Sequence, residues 1–255
     1  MTLETKTIPL VEVKDYLDGL LGVDGLAPAS NGLIVGGQPM IAKVGLAVNC
    51  SFQAIESAHA RRCDLLITHH AAWASTDAHL VDLKYDRVRQ LGMNLYVAHE
   101  CLDQGRGFGT ADALARAVRV AVQGLFKPDG QQEFGVHGLT TGHLAAFVTR
   151  VASTLGTEPR RWRNNESFGH VAVVPGWGGR PEWMAQALEA GCDTFLTGEA
   201  IMFGLLFARE AGINLILAGH TTTEIPGVMA LGSRIAHDLQ LDVTFIPEDM
   251  IEAQG

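Results

Sequence analysis

Two adjacent histidines are the strongest candidates in this sequence for binding a metal ion. His69 and His70 follow the apolar run Leu65-Leu66-Ile67 after one threonine, and this run predicts a buried strand. Both imidazoles therefore stand at a carboxyl end, where open α/β sheets keep their ligand crevices. Neighbouring side chains on an extended strand point to opposite faces, so one cation could collect both only if the chain turned sharply, whereas two nearby cations could take one each. The alternative is one functional histidine beside a structural one.

A recurring spacing adds carboxylates to these imidazoles. His99 stands four residues before Asp103, and His220 stands four residues before Glu224; in a helical turn this spacing puts both side chains on one side. Imidazole nitrogen and carboxylate oxygen are donors that zinc, iron, manganese and cobalt accept, and one carboxylate can bridge two ions. A lone HxxxE motif is usually an ordinary surface pair, but the recurrence of the spacing in both halves of the chain favours a metal site.

The two halves of the chain share an internal repeat in which these residues take equivalent places. RCDLLITHHA at 62–71 matches GCDTFLTGEA at 191–200, and GMNLYVAH at 92–99 matches GINLILAGH at 212–220. This order suggests two similar α/β lobes whose strand ends face a common cleft; chance similarity between buried strands is the alternative. Glu199 takes the place of His70, which predicts either a partner that orients a ligand or an acid that faces substrate. A carboxylate stabilised by a helix dipole is the other explanation.

Apolar runs of strand length alternate with helical patterns through most of the chain. The strand-like runs are VGLAV, DLLIT, NLYVA, HVAVV, DTFLT and NLILA. Helical patterns cover Val11 to Leu21, Gln53 to Ala60, Trp183 to Ala190 and Ile201 to Ala211. This alternation is typical of βαβ units around a largely parallel sheet. We therefore predict an α/β fold of two interlocked lobes, residues 1–125 and 126–255, with a metal-binding cleft between them; one continuous domain is the alternative.

Composition excludes several classes of protein. The chain has 255 residues and 47% hydrophobic content, enough to bury a real core. Its four cysteines form no CxxC pair, so a disulfide framework is not indicated. The formal net charge of -9 argues against a broad nucleic-acid-binding surface, because non-specific affinity for a polyanion comes mainly from clustered Lys and Arg. A small anionic substrate, such as a nucleotide, is compatible with this charge. We find no signal peptide and no membrane-length apolar segment, and expect a cytoplasmic protein.

A glycine-rich loop, Pro175-Gly176-Trp177-Gly178-Gly179, follows one predicted strand and precedes a predicted helix. Its backbone amides could cradle a phosphate or carboxylate. Glycines also form plain tight turns, and the loop is not a full GxGxxG fingerprint. Both interpretations stay open at the level of sequence.

Four short blocks, in this order and at these separations, resemble the Nif-three-like dinuclear metal proteins, the GTP cyclohydrolase type 2 homologues. The blocks are Asp64 to His70, Ala98-His99-x-x-x-Asp103, Thr197-Gly198-Glu199 and Gly219-His220-x-x-x-Glu224. The resemblance covers nearly the whole chain. It implies two divalent metal ions per chain, of an identity that the sequence does not give, and a ring-shaped homohexamer with the metal sites facing an internal cavity. The ligands that it implies are His69, His70, Asp103, His220 and Glu224, with Glu224 bridging.

Three positions depart from the family pattern. Ala71 stands where a proline commonly follows the double histidine, Asn49 where an aspartate often ends the preceding strand, and Thr221 where an aromatic is expected. None of these is a proposed ligand, so they bear on pocket shape and substrate preference. Some members carry an inserted domain near the middle; the stretch around residues 127–130 leaves no room for one, which implies a short form.

The predicted chemistry is hydrolysis. Two divalent ions can lower the pKa of a bound water to about 7, which gives a hydroxide nucleophile. His99 or Glu199 would then handle the proton, and the family resemblance favours GTP, with opening of the purine ring. Two alternatives remain: a metal-binding regulatory or interaction protein without turnover, and a metal-dependent phosphoesterase.

Overall fold

The structure, a computed structural model, describes residues 6–126 and 134–248. The stretch around residues 127–130, where we expected no inserted domain, lies outside the described residues. In chain order the strands are β1 Ile8–Pro9, β2 Asn31–Val35, β3 Met40–Ile41, β4 Lys43–Asn49, β5 Leu65–His70, β6 Asn94–Ala98, β7 Ala121–Phe126, β8 Gly135–Leu139, β9 Arg160–Trp162, β10 His170–Val174, β11 Thr194–Thr197, β12 Asn214–Leu217 and β13 Asp242–Phe245. The helices are α1 Leu10–Leu21, α2 Phe52–Ala60, α3 Ala74–Asp77, α4 Leu80–Gln90, α5 Glu100–Asp103, α6 Thr110–Ala117, α7 Leu144–Leu155, α8 Pro181–Glu189, α9 Met202–Glu210 and α10 His220–Leu239.

The described residues form two compact units, each with its own sheet. The first unit contains residues 6–105 and 228–248, and the second contains 106–126 and 134–227. The sequence-based division placed residues 126–255 together in one lobe. The structure instead assigns residues 228–248 to the first unit, because β13 pairs in parallel with β4.

The first unit is built on a five-stranded sheet with the order β13-β4-β5-β6-β2. Strands β13, β4, β5 and β6 are parallel, and β2 closes one edge antiparallel to β6. The apolar run of β5 is buried on both faces, as expected for a strand inside a parallel sheet; Leu66 packs with the cluster that includes Ala54 of α2 and Val88 of α4. The two-residue strands β1 and β3 form a separate, antiparallel two-stranded sheet.

The second unit is built on a six-stranded sheet with the order β7-β8-β10-β11-β12-β9. Its centre, β10, β11 and β12, is parallel, while β8 and β9 flank it antiparallel. Alternate side chains of β10 enter two different cores. Val171 and Val173 pack with residues of α6 and α7, whereas Ala172 and Val174 pack with residues of α8, as the two-residue period of a strand requires.

The ends of several helices follow from local sequence. Ser51 caps α2 by accepting a hydrogen bond from the Ala54 amide at 3.0 Å, and α8 begins with Pro181, whose fixed φ suits the first turn. Helix α1 ends at Gly22, which takes the left-handed conformation with φ of 63°. Such caps make helix termini more predictable than strand pairing.

The predicted α/β fold is confirmed. The six predicted strands correspond to β4, β5, β6, β10, β11 and β12, and the four predicted helices correspond to α1, α2, α8 and α9. Within residues 6–126 and 134–248, no helix has the length and apolar character needed to cross a membrane.

Candidate metal centre

The first group of predicted site residues gathers at the carboxyl ends of β5 and β6. Because these strands are parallel neighbours, His69 and His70 at the end of β5 lie close to His99, which follows β6. The ring centroid of His69 lies 4.8 Å from that of His70 and 5.0 Å from that of His99, and the centroids of His70 and His99 are 5.6 Å apart. Asp103, at the end of α5, places Oδ1 3.7 Å from His69 Nε2. The first unit thus brings together three imidazoles and a carboxylate.

Hydrogen bonds fix which nitrogen each of the paired histidines presents. His69 Nδ1 lies 2.8 Å from the carbonyl oxygen of Ala98, and His70 Nδ1 lies 2.7 Å from Oδ1 of Asn49. Both partners are acceptors, so the ring proton sits on Nδ1 and the lone pair sits on Nε2. Asn49, whose type departs from the family pattern, supplies the same oxygen acceptor that an aspartate would.

The second group gathers at the carboxyl ends of β11 and β12, which are also parallel neighbours. Glu199 lies two residues beyond β11, and His220 begins α10 three residues beyond β12. His220 Nδ1 is 2.7 Å from Glu199 Oε1, and His220 Nε2 is 3.1 Å from Glu224 Oε1, one helical turn onward. Glu224 is buried, with 5% of its surface exposed. The second unit thus holds one imidazole between two carboxylates.

Glycines make room for this second group. Gly176 has a positive φ of 62°, and a Cβ there would press into Glu224 Oε1 and lie 3.0 Å from His220 Nε2. A Cβ on Gly198 would lie 2.7 Å from His220 Cα. The Gly176 amide also donates to Thr223 Oγ1 at 2.9 Å, which ties the loop to α10. The sequence marked this loop only as glycine-rich, and its closeness to His220 and Glu224 required the fold.

Three amides of the same loop have partners within the protein. Those of Gly176, Gly178 and Gly179 all donate hydrogen bonds, and their acceptors are Thr223 Oγ1, Thr197 Oγ1 and the Glu199 carbonyl oxygen. Amides engaged in this way cannot also cradle an anion. The geometry therefore favours the close-packed turn over the phosphate-binding interpretation of residues 175–179.

His99 is held by a carboxylate that the sequence did not single out. Its Nδ1 lies 3.3 Å from Glu100 Oε2, and the same oxygen accepts a hydrogen bond from Asn31 Nδ2 at 2.6 Å. The contact with His99 and the hydrogen bond from Asn31 outweigh burial and lower the pKa of Glu100 to about 2. Glu100 is therefore an anion at neutral pH and anchors the His99 ring.

The four cysteines are all buried, and burial raises the pKa of each thiol. The values are about 12 for Cys50, about 11 for Cys63, about 12 for Cys101 and about 12 for Cys192. In the protein without bound cations they are thiols at neutral pH, so no cysteine nucleophile is indicated.

The environment of His220 yields a prediction for protein stripped of cations. Burial lowers its pKa, but the hydrogen bonds and charges of Glu224 and Glu199 oppose burial and raise the pKa to about 9. We expect NMR titration of chelator-treated protein to give a midpoint near pH 9 for this ring, and a lower midpoint in Glu199→Gln. A wild-type midpoint near the ordinary value of 6.5 would contradict the assignment. Cation binding at Nε2 would release this proton, so affinity should rise with pH up to that midpoint.

Comparisons with known proteins agree with the resemblance drawn from the four sequence blocks. A model of the Duf34/NIF3 (NGG1p interacting factor 3) family matches residues 11–250. A Yersinia pestis protein described as "GTP cyclohydrolase 1 type 2 homolog" is 31% identical over 244 residues, which cover 92% of this chain and 96% of that protein. A Halobacterium salinarum protein with the same description is 32% identical over 244 residues, covering 91% and 94% of the two chains. The solved structure of protein ybgI, described as of unknown function, has a TM-score of 0.83 and 25% identity, covering 94% of this chain and 99% of that one.

Proposed function

The chain belongs to the Duf34/NIF3 family, and from this premise we propose that it is a hydrolase dependent on two divalent cations. The proposal joins the two groups of residues described above into one site, which the resemblance to dinuclear metal proteins supports. The proposed ligands are His69, His70, Asp103, His220 and Glu224. Imidazole nitrogens and carboxylate oxygens fit zinc, iron, manganese or cobalt.

One repeated arrangement carries the proposal. In His69, His70 and His220, Nδ1 faces an oxygen acceptor 2.7 or 2.8 Å away, so that Nε2 is the nitrogen turned to the proposed site. Histidines that bind metals nearly always give their other ring nitrogen to a carbonyl or carboxylate, which fixes the tautomer and the ring orientation. Three independent occurrences, each at the carboxyl end of a parallel strand or the helix that follows it, are a stronger signal than any one histidine.

The other residues of the site have roles that follow from their contacts. When bound, the cations would stabilise developing negative charge and lower the pKa of a water molecule to about 7. Glu199 touches His220 and is assigned to hold that ring in position. His99, anchored by Glu100, is assigned to move a proton to or from the leaving group. Because five ligating residues do not saturate two ions, positions remain for water and substrate, which favours catalysis over a purely structural site.

The substrate class follows from the relatives. Proteins that align over nearly all of this chain are described as GTP cyclohydrolase 1 type 2 homologs, so we propose GTP, or a related purine nucleotide, as substrate. Hydrolysis adds water at C8 of the purine, cleaves a ring C–N bond and, with a second water, releases C8 as formate.

To test this, the protein is loaded with zinc, iron, manganese or cobalt in separate samples, and each sample is incubated with GTP. Formate and inorganic phosphate are then measured separately. Formate release that disappears after chelation and returns with the cation is the expected result. Phosphate release without formate would replace the proposal with a phosphoesterase. Bound cations with neither product would favour the regulatory protein.

A further inference from the structure

The second unit contains another group of metal-binding side chains, the His137/His170/Cys192 cluster. Each residue offers one ligand atom, and these atoms lie within 4.8 Å of one another. His137 Nδ1 is 2.9 Å from His170 Nε2. The cysteine is buried, and both histidines are half-buried. Two imidazoles and a thiol at this separation are a different donor set from the nitrogen and oxygen donors of the proposed function.

Sheet register places all three side chains on one face. In the antiparallel pair β8 and β10, His137 lies opposite Ala172, so the two side chains share a face. His170 is two residues before Ala172 on the same strand and therefore points to that face too. Cys192, just before β11, packs in the same core cluster as Ala172. Three separate segments, at residues 137, 170 and 192, thus converge by the topology of the sheet.

The edge strand is shaped to admit the His137 ring. Strand β7 has an irregularity between Val122 and Gly124, and Gly124 is the residue that pairs with His137. A Cβ on Gly124 would lie 2.5 Å from His137 Nε2, so the ring rests over the glycine. Bulges and strand glycines commonly re-aim a side chain or allow a close approach. With Nε2 against Gly124, the nitrogen left towards His170 is Nδ1.

The cluster is remote from the residues of the proposed hydrolytic site in the same unit. His170 begins β10 and Cys192 precedes β11, at the amino ends of these parallel strands, whereas Glu199 and His220 follow the carboxyl ends of β11 and β12. A strand of this length separates its two ends by roughly 13 Å. The same cation cannot contact both groups.

We propose that His137, His170 and Cys192 form a second metal site, which binds a thiolate-accepting transition-metal ion such as Zn²⁺. Thiolate and imidazole together suit zinc, and three protein ligands leave a fourth position for water or another ligand. Binding breaks the S–H bond, forms the S–metal bond and releases the thiol proton to solvent. The proton of the His137–His170 hydrogen bond moves to the other nitrogen of the ring that carries it, and two N–metal bonds replace the hydrogen bond.

Cobalt(II) is the probe, because it takes the place of zinc and reports its ligands by absorption. Thiolate ligation gives a near-ultraviolet sulfur-to-cobalt charge-transfer band, which nitrogen and oxygen ligands do not give. We expect titration of the metal-free, full-length protein with Co²⁺ to produce this band, with an intensity at saturation that corresponds to one thiolate ligand per chain, because cobalt bound by nitrogen and oxygen donors alone adds nothing to it. Cys192→Ser should abolish it, and Cys63→Ser, a matched change at another buried cysteine, should leave it intact.

Two further variants keep the test decisive if Cys192→Ser does not fold, as judged by circular dichroism. His137→Gln removes one ligand, and Gly124→Ala keeps all three but displaces the His137 ring; each should weaken Co²⁺ affinity at this band by roughly 10- to 100-fold. A hydrogen-bonded histidine pair over a buried cysteine, without a metal site, would leave the near-ultraviolet spectrum unchanged on adding Co²⁺. That result, or a band that survives every one of these substitutions, would overturn the proposal. Neither result depends on whether the protein hydrolyses GTP.

Discussion

Replacing His69 and Glu224 together by alanine should remove about two bound cations per chain, because each of the two proposed ion positions loses a ligand from its first coordination shell. The change removes a nearly fully buried imidazole from the first unit and a buried carboxylate from the second. The measurement is elemental analysis of protein purified without a chelating tag. Any ion held through Cys192 contributes equally to both proteins and cancels in the difference.

The matched control for this double variant is His59→Ala with Glu210→Ala, at exposed positions on α2 and α9. It changes the same residue types in the same two units and should retain the wild-type metal content. Equal, low occupancy in the wild type and the site variant would remove the basis of the dinuclear proposal. Equal, high occupancy would show that the cations bind elsewhere.

Replacing Gly198 by alanine should both destabilise the protein and weaken cation binding. A Cβ there would lie 2.5 Å from the Gly176 carbonyl oxygen, 2.7 Å from His220 Cα and 2.9 Å from the Gly219 carbonyl oxygen. These are backbone atoms, which cannot rotate away as a side chain would. Overpacking of this kind costs about 1–3 kcal/mol of unfolding free energy. Relieving the contact requires the backbone at His220 to move, and this movement displaces the His220 ring. We expect a lower urea midpoint and a Zn²⁺ affinity at least roughly 10-fold weaker.

Gly19 offers the matched control for this substitution. It is exposed in α1, and a Cβ there meets nothing within 4 Å. Gly19→Ala should raise the unfolding free energy by about 0.5–1 kcal/mol, since alanine favours the helix, and should leave Zn²⁺ binding unchanged. If Gly198→Ala proved as stable and as tight-binding as Gly19→Ala, the close packing of Gly198 against His220 would have no energetic consequence.

The central parallel strands and the site candidates were predictable because their signals are local. The run Leu65-Leu66-Ile67 is apolar on both faces, which identifies a buried strand without knowledge of its neighbours. The histidines stand at most one or two residues after such runs, so their position at a carboxyl end follows from the same pattern. The grouping of His69, His70, His99 and Asp103 within one unit rests on the pairing of β5 with β6, whereas the repeat had suggested only two similar lobes. Their role as metal ligands stays a prediction until cations are measured.

Other features have no local signal. Strand β13 is short and its side chains are exposed or half-buried, so nothing in residues 242–245 identifies β4, about 200 positions earlier, as its partner. The same holds for Gly176, which the sequence marked only as part of a loop, and for Asn49, which appeared as a departure from the family pattern. Each gains its importance from an atom that another strand brings within hydrogen-bond or van der Waals distance.

The alternation of strands and helices, the α/β class, and the imidazoles and carboxylates that lie at or after the ends of the central strands could all be predicted from the sequence, because period and residue type are properties of neighbours along the chain. Three features become visible only in the folded chain: the nitrogen that His69, His70 and His220 present, the glycines that have no room for a side chain, and the meeting of His137, His170 and Cys192. Those outcomes depend on register, and register is set by packing between segments far apart in the chain.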